Sequence, residues 1–283
     1  MLLITVVCSL LLIQLWGSGK PLHKDNWFYA LLNFYSQFDR LASVRMGAFS
    51  AALITALLLV VIGYSLLDYI SSWLAAAFAI LVLVYSMGRG LFSELVASYV
   101  SIWHAKDWEA AVTIAQELGI ETHWLESDDW SELNHLVVEQ LAYRGFERIF
   151  VVLFWFVVTG VVGPLAYRLV ALYGDHTDDG DEAEQLQRLL WLVEWPVVRL
   201  FGLSLAITGN FTSCFSRCRQ FISCTKTSSS QMLVYFVESA LSVTKADSSD
   251  PRCGEKELTE LQQLYSRTMV LWVCVIAVFT LLL

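Results

Sequence analysis

The sequence predicts an all-α polytopic membrane protein with four to five transmembrane helices, a bent or re-entrant segment and a soluble helical cytoplasmic insert. Two observations lead to this fold class. Of the 283 residues, 57% are hydrophobic and the mean hydropathy is +0.57, a composition that differs from that of soluble domains. The apolar residues also gather into uncharged runs, several of which approach the roughly 20 residues that a helix needs to cross a bilayer.

The N-terminal apolar segment runs from Met1 to Gly19 without a charge, and Lys20 and Lys24 follow it. A secretory signal peptide carries its positive charges before the apolar core, so this order predicts a retained short helix. Such a helix either spans the bilayer thinly or lies in the membrane with Trp16 at the interface. The polar stretch that follows is predicted to contain one amphipathic helix, from Trp27 to Leu41.

Two uncharged spans come next, Gly47–Leu67 and Tyr69–Met87, with only Asp68 between them. Spans joined by so short a turn are predicted to form a helical hairpin. The turn lacks Lys and Arg, whereas three arginines flank the open ends of the hairpin: Arg40, Arg45 and Arg89. The positive-inside rule therefore places residues before 46 and after 88 in the cytoplasm and the Asp68 turn on the other side.

The soluble acidic insert covers residues 88–148 and lies within a single integral membrane domain predicted over residues 1–283. Apolar residues recur at helical spacing from Phe92 to Ile102, from Ala111 to Leu118 and from Leu133 to Leu141. Gly119 is placed to end the second of these helices. Asp129, three residues before Glu132, resembles a capping box that opens the third.

A long apolar run, Ile149–Tyr173, follows the insert, and its first 19 residues carry no charge. Gly160, Gly163 and Pro164 lie in its interior. Proline lacks an amide donor and disfavours helical geometry before it, so a kink or break is predicted near Val162–Gly163. Membrane backbone tolerates such a defect only where protein or a wet cavity satisfies the freed carbonyl groups.

The acidic run at residues 175–184, DHTDDGDEAE, raises calcium binding as an alternative. It lacks the alternating oxygen ligands and the terminal glutamate of an EF-hand loop. We therefore predict that it starts a helix, with Asp181 and Glu184 at the N-terminal cap.

The next hydrophobic segment, Leu189–Phe211, carries Glu194, Pro196 and Arg199. These residues are incompatible with an unbroken helix facing lipid, so a bent or re-entrant segment is predicted, packed on the central run. Two further helices are predicted, around Met232–Leu241 and over Thr268–Leu283.

The candidate ligand-binding residues surround the two irregular places in the membrane backbone. Arg168 lies four residues after Pro164, and Arg199 lies three residues after Pro196. Cations near membrane depth are costly unless paired, so we expect a pair between Glu194 and an arginine at the border of a polar pocket. Alternatively, Arg168 snorkels to the interface and these charges mark segment ends in water. The candidate set, with Tyr167 and Trp195 as aromatic walls, is Arg144, Glu147, Arg148, Tyr167, Arg168, Glu194, Trp195 and Arg199.

No catalytic residue, cofactor or metal site is predicted. The sequence contains no Walker loop, G-x-G-x-x-G turn, Ser–His–Asp arrangement or H-E-x-x-H helix. Cys214, Cys218 and Cys224 could gather a metal, but they form no C-x-x-C pair and have no histidine nearby. The net charge of −9, without a basic stripe, argues against nucleic acid as a partner. Membrane lipid is the partner that the composition implies.

Several short motifs resemble, in residue type, order and spacing, the AmpE family. They are Leu153-Phe154-Trp155, Gly163-Pro164-Leu165, Tyr167-Arg168, Glu194-Trp195-Pro196-Val197-Val198-Arg199-Leu200 and Thr208-Gly209-Asn210-Phe211. The resemblance covers nearly the whole chain. It implies a multi-pass protein of the bacterial inner membrane that modulates β-lactamase induction and is linked to peptidoglycan recycling. A muropeptide or another anionic small molecule would be its ligand, and a membrane or cytoplasmic protein its partner.

The same stretches are more distantly similar to the CobD/CbiB cobalamin-pathway synthases, which join an aminopropanol to a corrinoid carboxylate. Where the synthases carry a Glu-Asn pair and an Asp, this chain has Tyr143, Arg144 and Glu147. The departure argues against an amide-forming activity and favours a non-enzymatic regulator. The alternative is a synthase-like enzyme acting on an anionic substrate held by four arginines: Arg144, Arg148, Arg168 and Arg199.

Overall fold

The computed structural model describes residues 1–16, 25–38, 46–88, 92–123, 125, 129–174, 177, 180–221, 227–241 and 251–282. Within these ranges all regular structure is helical and no strand occurs, so the predicted all-α class is confirmed. The helices are α1 (Leu2–Trp16), α2 (Asn26–Ser36), α3 (Gly47–Ile70), α4 (Ser72–Ser86), α5 (Phe92–Ala105), α6 (Trp108–Glu117), α7 (Trp130–Gly145), α8 (Val152–Thr159), α9 (Val162–Gly174), α10 (Gly180–Thr208), α11 (Phe211–Phe221), α12 (Ser229–Ala240) and α13 (Pro251–Leu282). A π-helical turn, Phe146–Val151, joins α7 to α8.

Among the described residues, three helices are long and apolar enough to cross a membrane: α3, α10 and the Lys256–Leu282 part of α13. The protein is therefore an all-α membrane protein. The apolar helices of the N-terminal segment and of the hairpin's second arm, Leu2–Leu15 and Ser72–Ser86, are shorter. At 1.5 Å per residue, the 15-residue α4 is about 22 Å long, less than the roughly 30 Å of a bilayer core.

The chain forms two compact units. Unit 1 comprises Met1–Gly90, Val151–Trp195 and Ile276–Leu283, and unit 2 comprises Leu91–Phe150 and Pro196–Val275. In unit 1, α3 and α4 form the predicted hairpin, α1 packs on α4, α2 packs on α3, and α9 packs on α3, α4 and α8. In unit 2, helices α5, α6 and α7 pack on one another, and α12 packs on both α7 and α11.

The turn of the hairpin lies three residues later than predicted. Helix α3 continues through Asp68 to Ile70, and Ser71 has an extended backbone with φ −165° and ψ 128°. The Ser71 hydroxyl accepts a hydrogen bond from the Trp73 amide at 3.3 Å. Serine satisfies the exposed amides at a helix start, whereas a single aspartate in an apolar run has no property that ends a helix.

The residues predicted to start and end helices in the insert are confirmed. Asp129 caps α7 by accepting a hydrogen bond from the Glu132 amide at 3.2 Å. Asp107 caps α6 in the same way, through the Ala110 amide at 3.1 Å. Gly119, with φ +85°, follows the end of α6. The proposed division into one membrane domain and an insert stays a prediction.

The predicted break in the central run is confirmed, slightly before the expected position. Helix α8 ends at Thr159, α9 begins at Val162, and Gly160 has φ +67°. This left-handed geometry favours glycine. Pro164 lies in the first turn of α9, where an amide has no partner within the helix and its loss costs little. The glycine, rather than the proline, makes the break.

The predicted bent or re-entrant segment around Pro196 is helical throughout, because α10 runs from Gly180 to Thr208 with the proline inside it. An interior proline removes one helical hydrogen bond and crowds the preceding turn. The indole of Trp155 donates to the carbonyl of Val193 at 3.3 Å, just before the proline. Asp181 lies in the first helical turn instead of at the cap.

The remaining helices differ from the predictions mainly in extent. The predicted amphipathic helix after residue 27 is α2, which ends at Ser36, and residues 39–41 lie outside the described residues. The helix around Met232–Leu241 is α12, capped by Ser228. The final helix begins at Pro251 rather than Thr268. Helix α11 was not predicted, because its sequence is short and mostly polar.

Gly163 is predicted to be a position where alanine is not tolerated. A Cβ atom there would overlap the Thr159 hydroxyl and lie 2.9 Å from the Trp155 carbonyl oxygen. Gly163→Ala should therefore destabilise the protein by about 1–3 kcal/mol through overpacking, measured as a lower thermal unfolding midpoint in detergent. The matched control is Gly63→Ala, whose Cβ would meet Phe78 at an ordinary 3.6 Å. Equal midpoints for the two variants would contradict the prediction.

Candidate functional site

Helix α9 carries the candidate site in unit 1. Its apolar side chains, such as Leu165 and Leu169, are buried, and the helix packs on α3, α4 and α8. Three polar side chains on the same helix, Tyr167, Arg168 and Tyr173, each reach an acidic partner. A helix surrounded by apolar neighbours must satisfy such groups internally.

The guanidinium of Arg168 forms an ion pair with Asp25. Its Nη2 atom lies 3.7 Å from Oδ2 of Asp25, and the two side chains are only 13% and 10% exposed. Asp25 immediately precedes α2, which is anchored by the fully buried Phe28 against Phe49. The packing of α2 therefore holds the carboxylate in place beside the arginine.

Two aromatic side chains complete this group. The hydroxyl of Tyr85 donates to Oδ1 of Asp25 at 2.9 Å, and the indole of Trp27 donates to the Tyr85 oxygen at 3.1 Å. We refer to Asp25, Trp27, Tyr85 and Arg168 as the Arg168 cluster. Gly88, with φ +77°, passes close to it, because a Cβ atom there would lie 3.3 Å from Nη1 of Arg168.

Arg168 keeps hydrogen-bonding capacity inside the cluster. Its Nε atom is buried and has no acceptor among the described residues. The 3.7 Å contact with Asp25 is longer than a hydrogen bond. Guanidinium groups bind carboxylates and phosphates best through two parallel hydrogen bonds. The cluster thus holds a cation whose hydrogen-bonding capacity Asp25 does not fully use.

A second buried polar contact lies next to Arg168 in the sequence. The hydroxyl of Tyr167 donates to Oε1 of Glu194 at 2.7 Å, with Tyr167 and Glu194 only 5% and 2% exposed. Trp195, the other predicted aromatic wall, is half-buried. The sequence predicted that an arginine would pair with Glu194, whereas the observed ion pair of Arg168 is with Asp25.

The other predicted residues belong to unit 2. Nη1 of Arg144 lies 3.6 Å from Oε2 of Glu147, one helical turn away, and Glu147 is 8% exposed. Nη2 of Arg199 donates to the Phe221 carbonyl at 3.5 Å. The eight candidates therefore divide into two groups. Tyr167, Arg168, Glu194 and Trp195 lie in unit 1, and Arg144, Glu147, Arg148 and Arg199 lie in unit 2.

Asp25, Trp27 and Tyr85 were not predicted as site residues from the sequence. The available signals were an acidic residue just before an amphipathic helix and a tyrosine near the end of an apolar span. Neither signal identifies a partner, because Asp25, Tyr85 and Arg168 are far apart in the sequence. Only the packing of α2 on α3, and of α9 on α3 and α4, brings them together.

A cavity of about 420 Å³ lies elsewhere in unit 1. It is lined by α1, α3, α4 and the break between α8 and α9, including Tyr64, Thr159 and Gly160. Its lining is mostly apolar, and among the described residues Asp68 is the one charged side chain that lines it. A cavity with this lining fits a neutral or cationic group better than an anion.

The described residues contain no group of three or more His, Cys, Asp or Glu side chains that could hold a metal ion. Cys214 and Cys218 are buried on α11. The hydrogen bond between their thiols lowers the pKa of Cys214 and, together with burial, raises that of Cys218. Cys224 and part of the acidic run at 175–184 lie outside the described residues.

The ion pair of the Arg168 cluster is predicted to depend on both partners. Asp25→Asn or Arg168→Gln strands a buried charge and should cost about 3–5 kcal/mol in unfolding free energy. The double variant should cost less than the sum of the two single variants. The measurement is unfolding in detergent for all four proteins.

The matched control for this cycle is the pair Glu184–Arg188, which is closer, at 2.6 Å, but has side chains 61% and 75% exposed. Removing either partner there should cost at most about 1 kcal/mol, because water screens the pair. Additive effects at Asp25 and Arg168, or equal losses in the control pair, would rule out a coupled buried pair.

Comparison with known proteins gives one match, which concerns the whole chain. The family model described as "Regulatory signalling modulator protein AmpE" matches residues 1–283, the full length of the sequence. No curated protein and no solved structure matches the chain. The motifs around α8, α9 and α10 lie within the matched residues, and the distant resemblance to CobD/CbiB synthases remains a prediction.

Proposed function

Because this chain belongs to the AmpE family of regulatory signalling modulators, we propose that it modulates β-lactamase induction from the bacterial inner membrane, as a multi-pass protein linked to peptidoglycan recycling. The whole-chain family match is the observation that carries this proposal. The three candidate membrane spans support a membrane location.

The Arg168 cluster suggests how a signal would be received. A muropeptide or another anionic small molecule would compete with Asp25 for the guanidinium of Arg168. Because Asp25 immediately precedes α2, its release would loosen the start of that helix. The protein would thus have two arrangements. In one the guanidinium of Arg168 is paired with Asp25, and in the other it is paired with the ligand. A signalling protein requires two such states. A membrane or cytoplasmic protein would then read the position of α2.

The first test measures β-lactamase in a strain that lacks this protein, with and without a sub-inhibitory β-lactam. Deletion should change the ratio of induced to uninduced activity. Arg168→Gln should reproduce the deletion because it removes the proposed anion-binding group. The control variant Arg188→Gln removes the same charge from an exposed position. When it is expressed in the deletion strain, it should restore the normal ratio of induced to uninduced activity.

Membrane levels of each variant must be equal, as judged by immunoblotting. An unchanged induction ratio in the deletion strain would overturn the proposed function. Rescue of a strain lacking the cobalamin synthase would instead establish the synthase-like alternative, in which the arginines hold an anionic substrate.

The proposed topology gives a second test. The hairpin turn at Ser71 should be periplasmic and Ser127 in the insert cytoplasmic, following the arginines that flank the hairpin. In a cysteine-free background, an impermeant thiol reagent applied to intact cells should label Ser71→Cys and leave Ser127→Cys unlabelled. The reverse pattern would invert the topology.

A further inference from the structure

Helix α11 begins at a fixed place beside the end of a membrane-spanning helix. Only Gly209 and Asn210 separate it from α10, which ends at Thr208. The Asn210 amide donates to the Ala240 carbonyl at 3.2 Å, and its side-chain oxygen accepts from the Ser213 amide at 3.3 Å. A Cβ atom on Gly209 would lie 2.8 Å from the Ala240 oxygen, so the turn is tight.

One face of α11 is committed to the protein. Cys214 and Cys218 are buried, and the Cys214 sulfur lies 3.7 Å from the Phe236 carbonyl of α12. Phe221 stacks on Tyr235 of α12, with ring centroids 5.3 Å apart and an angle of 9° between the rings. These contacts fix how the helix is rotated and which side chains point outward.

The neighbouring face displays an apolar and cationic stripe. Phe211, Phe215 and Arg219 follow one another at intervals of four residues, which places them along one side of a helix. The phenylalanines are 57% and 46% exposed and stack on each other, with centroids 5.2 Å apart. Arg219 is exposed and makes no ion pair within the described part of the chain.

We propose that this stripe binds the surface of a bilayer containing anionic phospholipid. Phe211 and Phe215 enter the boundary between headgroups and acyl chains, and Arg219 binds a lipid phosphate. Amphipathic helices with aromatic residues beside basic residues bind membrane interfaces in this way.

Two features favour lipid over another occupant. The turn from α10 holds α11 near the end of a membrane span, so lipid is the neighbour at that depth. In addition, the stripe carries Arg219, and Phe211–Phe221 contains no acidic residue in a chain of net charge −9. A guanidinium binds phosphate through parallel hydrogen bonds, so the charge of this surface complements an anionic headgroup.

The experiment uses the full chain in an uncharged detergent and native mass spectrometry with phosphatidylglycerol or phosphatidylcholine. The wild type should bind phosphatidylglycerol more tightly. Arg219→Gln should weaken that binding roughly fivefold, the effect expected for one arginine at an anionic surface. Arg219→Lys should retain most of it. Replacing Phe211 and Phe215 together by serine should weaken the binding of both lipids.

Arg217→Gln is the matched control, because it removes the same charge from the same helix. Arg217 is also exposed. It lies two residues from both Phe215 and Arg219, which on an α-helix places it about 160° around the helix from each of them. It should keep the preference for phosphatidylglycerol. Equal losses for Arg217→Gln and Arg219→Gln, or no lipid preference in the wild type, would overturn the proposal. Circular dichroism and the unfolding midpoint verify that each variant is folded.

Discussion

The cost of burying one guanidinium constrains much of unit 1. An isolated cation removed from water is expensive, and the penalty is offset only when a counter-charge and hydrogen bonds are held nearby. Arg168 obtains its counter-charge from Asp25, which Tyr85 also contacts. The start of α2, the end of α4 and the middle of α9 must therefore stay in register. Gly88 leaves the space beside the guanidinium.

The break at Gly160 is what makes α9 a separate helix. Its left-handed backbone ends α8, and Gly163 then allows the chain to pass close to Trp155. Trp155 itself donates to the Val193 carbonyl, in the turn before Pro196. Trp155 thus lies beside the break and also fixes α9's neighbour α8 to α10 through the Val193 carbonyl.

Signals that act over a few residues were readable from the sequence, and contacts between distant residues were not. Hydrophobic length predicted α3 and α4, and local chemistry predicted the Asp129 cap and the break near Gly160. The pairing of Arg168 with Asp25 had no local signature, because two helices must first pack before the charges meet. The continuity of α10 through Pro196 was not readable from the sequence for a similar reason, since neighbouring side chains decide whether a helix survives a proline.

The geometry of the Arg168 cluster sets the binding energy that the proposed signalling needs. Moving a two-state equilibrium from 1:99 to 99:1 requires about 5.5 kcal/mol of differential binding. Exchanging Asp25 for a ligand carboxylate or phosphate keeps the cation paired, but it also releases the Asp25 carboxylate, which must then keep its hydrogen bond from Tyr85 or reach water. The ligand must therefore offset the release of Asp25 as well as improve on a 3.7 Å contact that is longer than a hydrogen bond. The adjacent Tyr167–Glu194 hydrogen bond meanwhile holds α9, so α2 is the element whose position the exchange would change.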